Sequence, residues 1–176
     1  MARPSSKEHV VAVALEAFRE KGFANVSLRD LAESAGLTKA ALFYHFPAKA
    51  DLLAEIAAPL LSAMDEALES LEATRPRPDA LSVLTRYLDA LLDAREICAF
   101  LFSEMAAVRD QGLAKEFAAR RMRFENLLTK GAHSQASRVR AECAIGLLQE
   151  AARRFDLSRA ATKKAVLAAA LGAAGG

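Results

Sequence analysis

Residues Ser27 to Lys49 read SLRDLAESAGLTKAALFYHFPAK, and the punctuation of this stretch admits few folds. Ser27 is a residue type that caps a helix N-terminus, and Asp30 stands three positions on, where its carboxylate can return a hydrogen bond. Ala35-Gly36 stops that helix, Thr38 is a second N-cap type, and Pro47 closes the next helix just beyond His45. Two short helices joined by a three- or four-residue turn containing glycine describe a helix-turn-helix. Ala32 is small where the two helices would cross, Gly36 suits the special turn conformation, and Leu31, Leu37 and Leu42 can plug the interface. Lys39, Ala40, Phe43 and Tyr44 would then project outward, on the face that such a motif lays in a DNA major groove.

The rest of the chain also predicts helix. Alanine is abundant, β-branched runs are absent, and 176 residues contain only 8 Gly and 5 Pro. Alanine loses no side-chain entropy in a helix, so this composition favours an all-α fold of one or two compact units. A first helix is expected from Ser5 or Ser6 to Lys21, with Val11, Leu15 and Phe18 on one face. Gly22 should end it in a left-handed conformation, with Phe23 folded back onto the last turn. A longer helix follows from about Lys49 to Leu71, then a two-proline connector at Thr74 to Asp79. Helices are expected near 79–94, 95–109, 112–131, 137–155 and 158–172, with a frayed end at Gly172 to Gly176.

Charge adds little. The first fifty residues hold seven Lys/Arg against five Asp/Glu, and the remainder is balanced, for a net +2. The two cysteines, Cys98 and Cys143, have apolar neighbours and read as reduced core thiols, a redox-sensing pair being the alternative. No leader stands before the first amphipathic segment, and no run approaches the ~18 apolar residues of a membrane span, so the chain is expected in the cytoplasm, without membrane contact.

Four short motifs fall in order at tight spacing: Lys21-Gly22-Phe23, Ser27 to Ala32, Ala35 to Lys39, and Leu42 to Lys49. Together they resemble the DNA-binding region of the TetR family of transcriptional regulators, over residues from about 8 to 55. The resemblance implies an all-α chain with a three-helix DNA-binding head at 1–48 and a helical effector-binding and dimerisation domain at 49–176. It also implies roles for individual residues. Ser27 would touch phosphate, and Arg29 would reach backbone or a base. Thr38, Lys39, Ala40, Ala41 and Phe43 match the recognition face, while Tyr44 and His45 resemble an aromatic and imidazole pair that donates to phosphate. Lys49 resembles the lysine opening the fourth helix, on the same phosphate. Leu42 and Phe46 take core positions, which leaves Phe43 outward and able to press on a thymine methyl. Ala40 and Ala41 offer no hydrogen bonds, so base readout falls to Lys39 and Arg29, with DNA shape supplying the remainder. Ala48 departs from the family, which often places a capping residue there.

The partners implied are double-stranded operator DNA, a second copy of the chain and an unidentified small effector; no cofactor and no metal is expected. The dimer would form through the last two long helices. Ala144, Leu147, Leu148 and Ala151 form one stripe and Ala161, Ala165, Ala168 and Leu171 another, monomer core being the bland alternative. A mostly apolar effector would lie among Leu88, Leu91, Leu101, Glu104, Met105, Phe117, Arg121 and Phe124. Against this stands the reading that Arg121 snorkels while Glu104 pairs with it or meets solvent. The function implied is a ligand-responsive regulator, usually a repressor, and the alternative is a constitutive module without an effector. An all-helical enzyme has little support: the three histidines are scattered, and there is no HExxH, Gly-rich phosphate loop or Ser/His/Asp set.

Overall fold

The computed structural model describes residues 6–110, 112–132 and 134–175; Ser5 and Gly176, named above, lie outside them. Among the described residues there are ten α-helices, one 3₁₀ turn and no strand. They are α1 (Ser6–Lys21), α2 (Leu28–Ser34), α3 (Lys39–His45), α4 (Lys49–Ala73), α5 (Ala80–Asp93), α6 (Arg95–Ser103), α7 (Met105–Asp110), α8 (Leu113–Leu128), α9 (Gln135–Arg154) and α10 (Ala160–Ala174), with the 3₁₀ turn at Phe23–Asn25. Backbone contacts divide the chain into two compact units: Met1–Pro59 with Phe100–Ala114, and Leu60–Ala99 with Lys115–Gly176.

In the first unit, the buried stripe of α1 is Val10, Ala14 and Phe18, at i, i+4 and i+8. Val11 and Leu15, expected on that face, lie at its half-buried edge. Phe18 is fully buried, with the Phe23 ring 5.0 Å away and the Phe100 ring stacked at 6.3 Å. Leu31, Ala32, Leu42 and Phe46 close the same core from α2 and α3. Gly22 does not end α1 in the left-handed region. Its φ of 80° comes with ψ of 146°, a backbone open essentially to glycine alone, and the chain passes straight into the 3₁₀ turn.

The helix-turn-helix turn forms as the spacing predicts. Ser27 and Asp30 make a complete capping box: the Ser27 oxygen accepts from Asp30 N, and the Asp30 carboxylate accepts from Ser27 N. At the other end of α2, Leu37 N donates to Ala32 O at 2.9 Å and Gly36 N to Glu33 O at 3.1 Å. That pair is a Schellman closure around Gly36, whose φ is +66°. A Cβ at Gly36 would meet nothing within 4 Å, so the demand for glycine there is conformational rather than steric. Gly36→Ala is therefore expected to destabilise the unit by about 1–2 kcal/mol, the strain of a left-handed L-residue, measured by thermal unfolding. Asp51 supplies what Ala48 lacks at the start of α4, its carboxylate accepting from Ala48 N at 2.8 Å.

The expected helix over 95–109 is interrupted at Glu104, between α6 and α7. Glu104 N still donates to Phe100 O, and Val108 N to Glu104 O, so the interruption is a local distortion and not a loop.

In the second unit, α5, α9 and α10 pack on one another. Tyr87 is buried at their centre, edge-on to Phe124 at 4.8 Å, and its hydroxyl accepts a hydrogen bond from Gln149 Nε2 at 2.8 Å. Burial pushes the Tyr87 phenol well above the ordinary tyrosine pKa, so it stays neutral. Lys163 of α10 pairs with Asp89 of α5 at 2.5 Å. Ala144, Leu148 and Ala151 face inward, so this part of the expected dimer stripe is core of the chain itself. Ala161, Ala165 and Ala168 of α10 are exposed, leaving that stripe on the surface.

Cys98 is buried but Cys143 is exposed on α9, off the inward stripe, which corrects the reading of both as core thiols. Burial raises the Cys98 thiol to about 11. Alkylation with iodoacetamide at neutral pH is expected to label Cys143 and leave Cys98 unmodified in the native protein, as read by intact and peptide mass spectrometry. Equal labelling of both would contradict this burial pattern.

Candidate nucleic-acid interface

The candidate surface is built on α3. Thr38 caps it, its hydroxyl oxygen accepting from Ala41 N at 3.2 Å. With Leu42 and Phe46 fully buried, the helical period turns Lys39, Ala40, Phe43 and Tyr44 to solvent. Phe43 is 38% and Tyr44 84% exposed, unusual for aromatic side chains with nothing to cover them. The Lys39 ammonium lies 5.3 Å from the centroid of the Phe43 ring, in cation–π range one turn along the helix. The Tyr44 ring meets exposed His45 edge-on at 5.2 Å. Ala41 is half-buried.

Two residues flank α3 from α2. Ser27 uses its hydroxyl in the cap, donating to Asp30 Oδ2 at 2.7 Å and accepting from Asp30 N at 3.1 Å. The Ser27 hydroxyl and backbone N–H, both donating to Asp30 Oδ2, hold the Asp30 carboxyl below the usual aspartate range. Arg29 is exposed and engages Glu33 at 3.2 Å in an i, i+4 pair.

Lys49 sits differently from the open phosphate anchor its position suggests. It is half-buried, and its ammonium donates to Phe23 O at 2.6 Å and Val26 O at 2.8 Å while lying 4.4 Å from the Phe23 ring centroid. The lysine thus staples α4 to the turn that leads into α2. Burial lowers its pKa, and the carbonyls and the ring are the groups that offset the lost hydration. From another side, Glu104 Oε1 accepts from Phe23 N at 3.3 Å. Sequence reasoning missed this doubly held turn. Its one available signal was Lys21-Gly22-Phe23, read there as a helix end and as one of the four resembling motifs.

The residues nominated for an effector fall in both units. Leu101, Glu104 and Met105 belong to the first; Leu88, Leu91, Phe117, Arg121 and Phe124 belong to the second. Leu88, Leu91, Leu101 and Phe124 are buried, Phe117 and Arg121 are half-buried, and Met105 is exposed. Arg121 pairs with Glu125 at 2.8 Å and with Glu142 at 3.4 Å, and Glu104 holds Phe23 N. A cleft of about 390 Å³ in the second unit is lined by Leu71, Glu72, Arg75, Arg77, Pro78 and Leu127, none of them among the nominated eight.

Residues 10–56 match the family model for bacterial regulatory proteins of the tetR family. The helix-turn-helix head therefore carries the DNA-binding region of the TetR family. It is similar to the HTH-type transcriptional regulator AcrR of Shigella flexneri, 35% identical over 89 residues, which cover 51% of this chain and 41% of AcrR. It is also similar to the HTH-type transcriptional regulator EthR of Mycolicibacterium smegmatis, 34% identical over 83 residues, covering 43% of this chain and 38% of EthR. These matches thus span about two fifths of the length of the curated relatives. Among solved structures, NalD of Pseudomonas aeruginosa, the secondary repressor of the MexAB-OprM multidrug efflux pump, has a TM-score of 0.70 at 22% identity, over 96% of this chain and 94% of that one. PfmR of Thermus thermophilus has a TM-score of 0.67 at 22% identity, over 95% and 97%. At such identities the likeness is one of fold, and it extends through α4 to α10.

Proposed function

We propose that this chain is a TetR-family DNA-binding transcriptional regulator that acts as a homodimer on a pseudo-palindromic duplex. The observation that carries the reading is the outward row of Lys39, Phe43, Tyr44 and His45 on a helix whose Leu42 and Phe46 anchor it to the head. Tyr44 and His45 donate to phosphate and set the register, while Lys39, Ala40 and Phe43 face base edges, with Ala41 at their margin. Ser27 and Arg29 contribute from α2, Ser27 by turning its hydroxyl from Asp30 to donate to a phosphate oxygen. Pairing through α9 and α10 is supported by the exposed small-residue face of Ala161, Ala165 and Ala168. Two heads would then read half-sites about 34–36 Å apart.

Among the described residues, no helix is long and apolar enough to cross a membrane. A regulator of this kind works on DNA in the cytoplasm. Repression, released by a small mostly apolar effector held in the α4–α10 region, is supported by NalD, a solved neighbour that is a repressor. One observation favours the alternative of a constitutive module. Leu88, Leu91 and Phe124 are packed to 3% exposure or less, and Arg121 and Glu104 already have protein partners. Selection of bound duplexes from a random pool tests the reading, followed by a screen for compounds that release the protein. Enrichment of a two-fold-related site supports the regulator, and a pool that stays random after repeated rounds sinks it. A releasing compound separates the effector-responsive form from the constitutive one.

A further inference from the structure

The base-facing surface of α3 has an unusual inventory. Thr38 stands at the cap before this row, its Oγ1 accepting from Ala41 N. Ala40 and Ala41 carry methyls only, and Leu42 and Phe46 are inside. Arg29 projects from α2 with its Nε on Glu33. Tyr44 lies next round the helix from Phe43 and turns its ring to His45. What remains on the exposed row is one cation and one ring, Lys39 and Phe43, already in contact at 5.3 Å.

Such a surface selects bases by chemistry. A ring edged with alanine methyls has no donor for guanine O6 or N7 and no acceptor for an adenine or cytosine amine, and it leaves those groups dry and unpaired. The thymine C5-methyl is the one major-groove group it can bury without that penalty. The ammonium has three donors and no acceptor, which suits guanine O6 and N7. Lys39 and Phe43 are four residues apart, about 6 Å along the helix axis. With base pairs stacked about 3.4 Å apart, the two recognised bases lie within about two steps of each other.

We propose that each half-site is read as a guanine and a thymine within two base steps, Lys39 taking the guanine and Phe43 the thymine methyl. Lys39 over the Phe43 ring holds the pair in place before DNA arrives, so both side chains lose less freedom on binding. This rests on the DNA-binding reading above and adds to it the identity of the bases.

The test uses the full chain and the duplex selected from the random pool. Each thymine in a half-site is replaced in turn by deoxyuridine, which removes only the C5-methyl, and each guanine by 7-deazaguanine, which removes N7. One deoxyuridine position is expected to weaken the wild type about three- to five-fold, the value of one buried methyl. The same change should leave the affinity of Phe43→Ala within two-fold. One 7-deazaguanine within two steps should weaken the wild type roughly ten-fold and Lys39→Ala far less. Both side chains are exposed, so circular dichroism of the variants should match the wild type. Methyl losses felt equally by wild type and Phe43→Ala, or by neither, overturn the assignment while leaving site-specific binding intact. A guanine outside the two-step window does the same for Lys39. If no sequence is enriched at all, the DNA-binding reading itself fails, and this assignment with it.

Discussion

Phe18→Ala is expected to destabilise the first unit by about 3–5 kcal/mol and to abolish DNA binding at temperatures where the wild type is folded. Phe18 is fully buried, and its ring touches both the Phe23 ring at 5.0 Å and the stacked Phe100 ring at 6.3 Å. Removing it strips contact from α1, from the 3₁₀ turn and from α6 in one step. A domain's whole stability is of the order of 5–15 kcal/mol, so this loss is a large share of it. Helix content followed through urea unfolding gives the change. A loss below about 1 kcal/mol would mean that the three rings do not form the core described.

The second large effect is expected at Lys49, and it discriminates between two roles. A phosphate anchor replaced by methionine leaves stability unchanged, weakens binding to every duplex and lowers the slope of log affinity against log salt by about one. A staple behaves otherwise. Lys49→Met keeps the stem's apolar packing but takes the donor from Phe23 O and Val26 O, which lie 2.6 and 2.8 Å from Nζ. Leaving such part-buried carbonyls unpaired costs about 1–3 kcal/mol. The structure therefore predicts a clear drop in thermal stability and weaker DNA binding, with the salt slope kept close to that of the wild type. Unchanged stability with a shallower slope would return Lys49 to the phosphate.

The contrast between Lys49 and Tyr44 shows what can be read from residues alone. Tyr44, Phe43, Leu42 and Phe46 were assigned to surface or core by helical period, and the structure agrees with that pattern because α3 is short and capped at a known residue. Ser27, Asp30 and Gly36 were equally legible, since a capping box and a positive φ are local demands written within ten residues. Lys49 was not, because its partners are carbonyls 23 and 26 positions away, and a carbonyl leaves no mark in the sequence. Glu104 was missed for the same reason: it holds the backbone N–H of Phe23, 81 positions distant. Periodicity found the inward stripe of α9 but could not tell core from partner-facing surface, and Ala144 and Leu148 proved to be core. Cys143 illustrates the same blindness. Its neighbours Ala144 and Ile145 are buried, yet one helical step turns it outward.

The central claim is that the exposed row of α3 grips duplex DNA, and one measurement bears on it most directly. Binding of the full chain to a selected duplex is followed by fluorescence anisotropy across a series of salt concentrations, for the wild type and for Lys39→Ala. The account predicts a log affinity that falls linearly with log salt, and an affinity of Lys39→Ala roughly ten-fold below that of the wild type along the whole series. Equal affinities for the two proteins would contradict it, and would place the DNA surface somewhere other than α3.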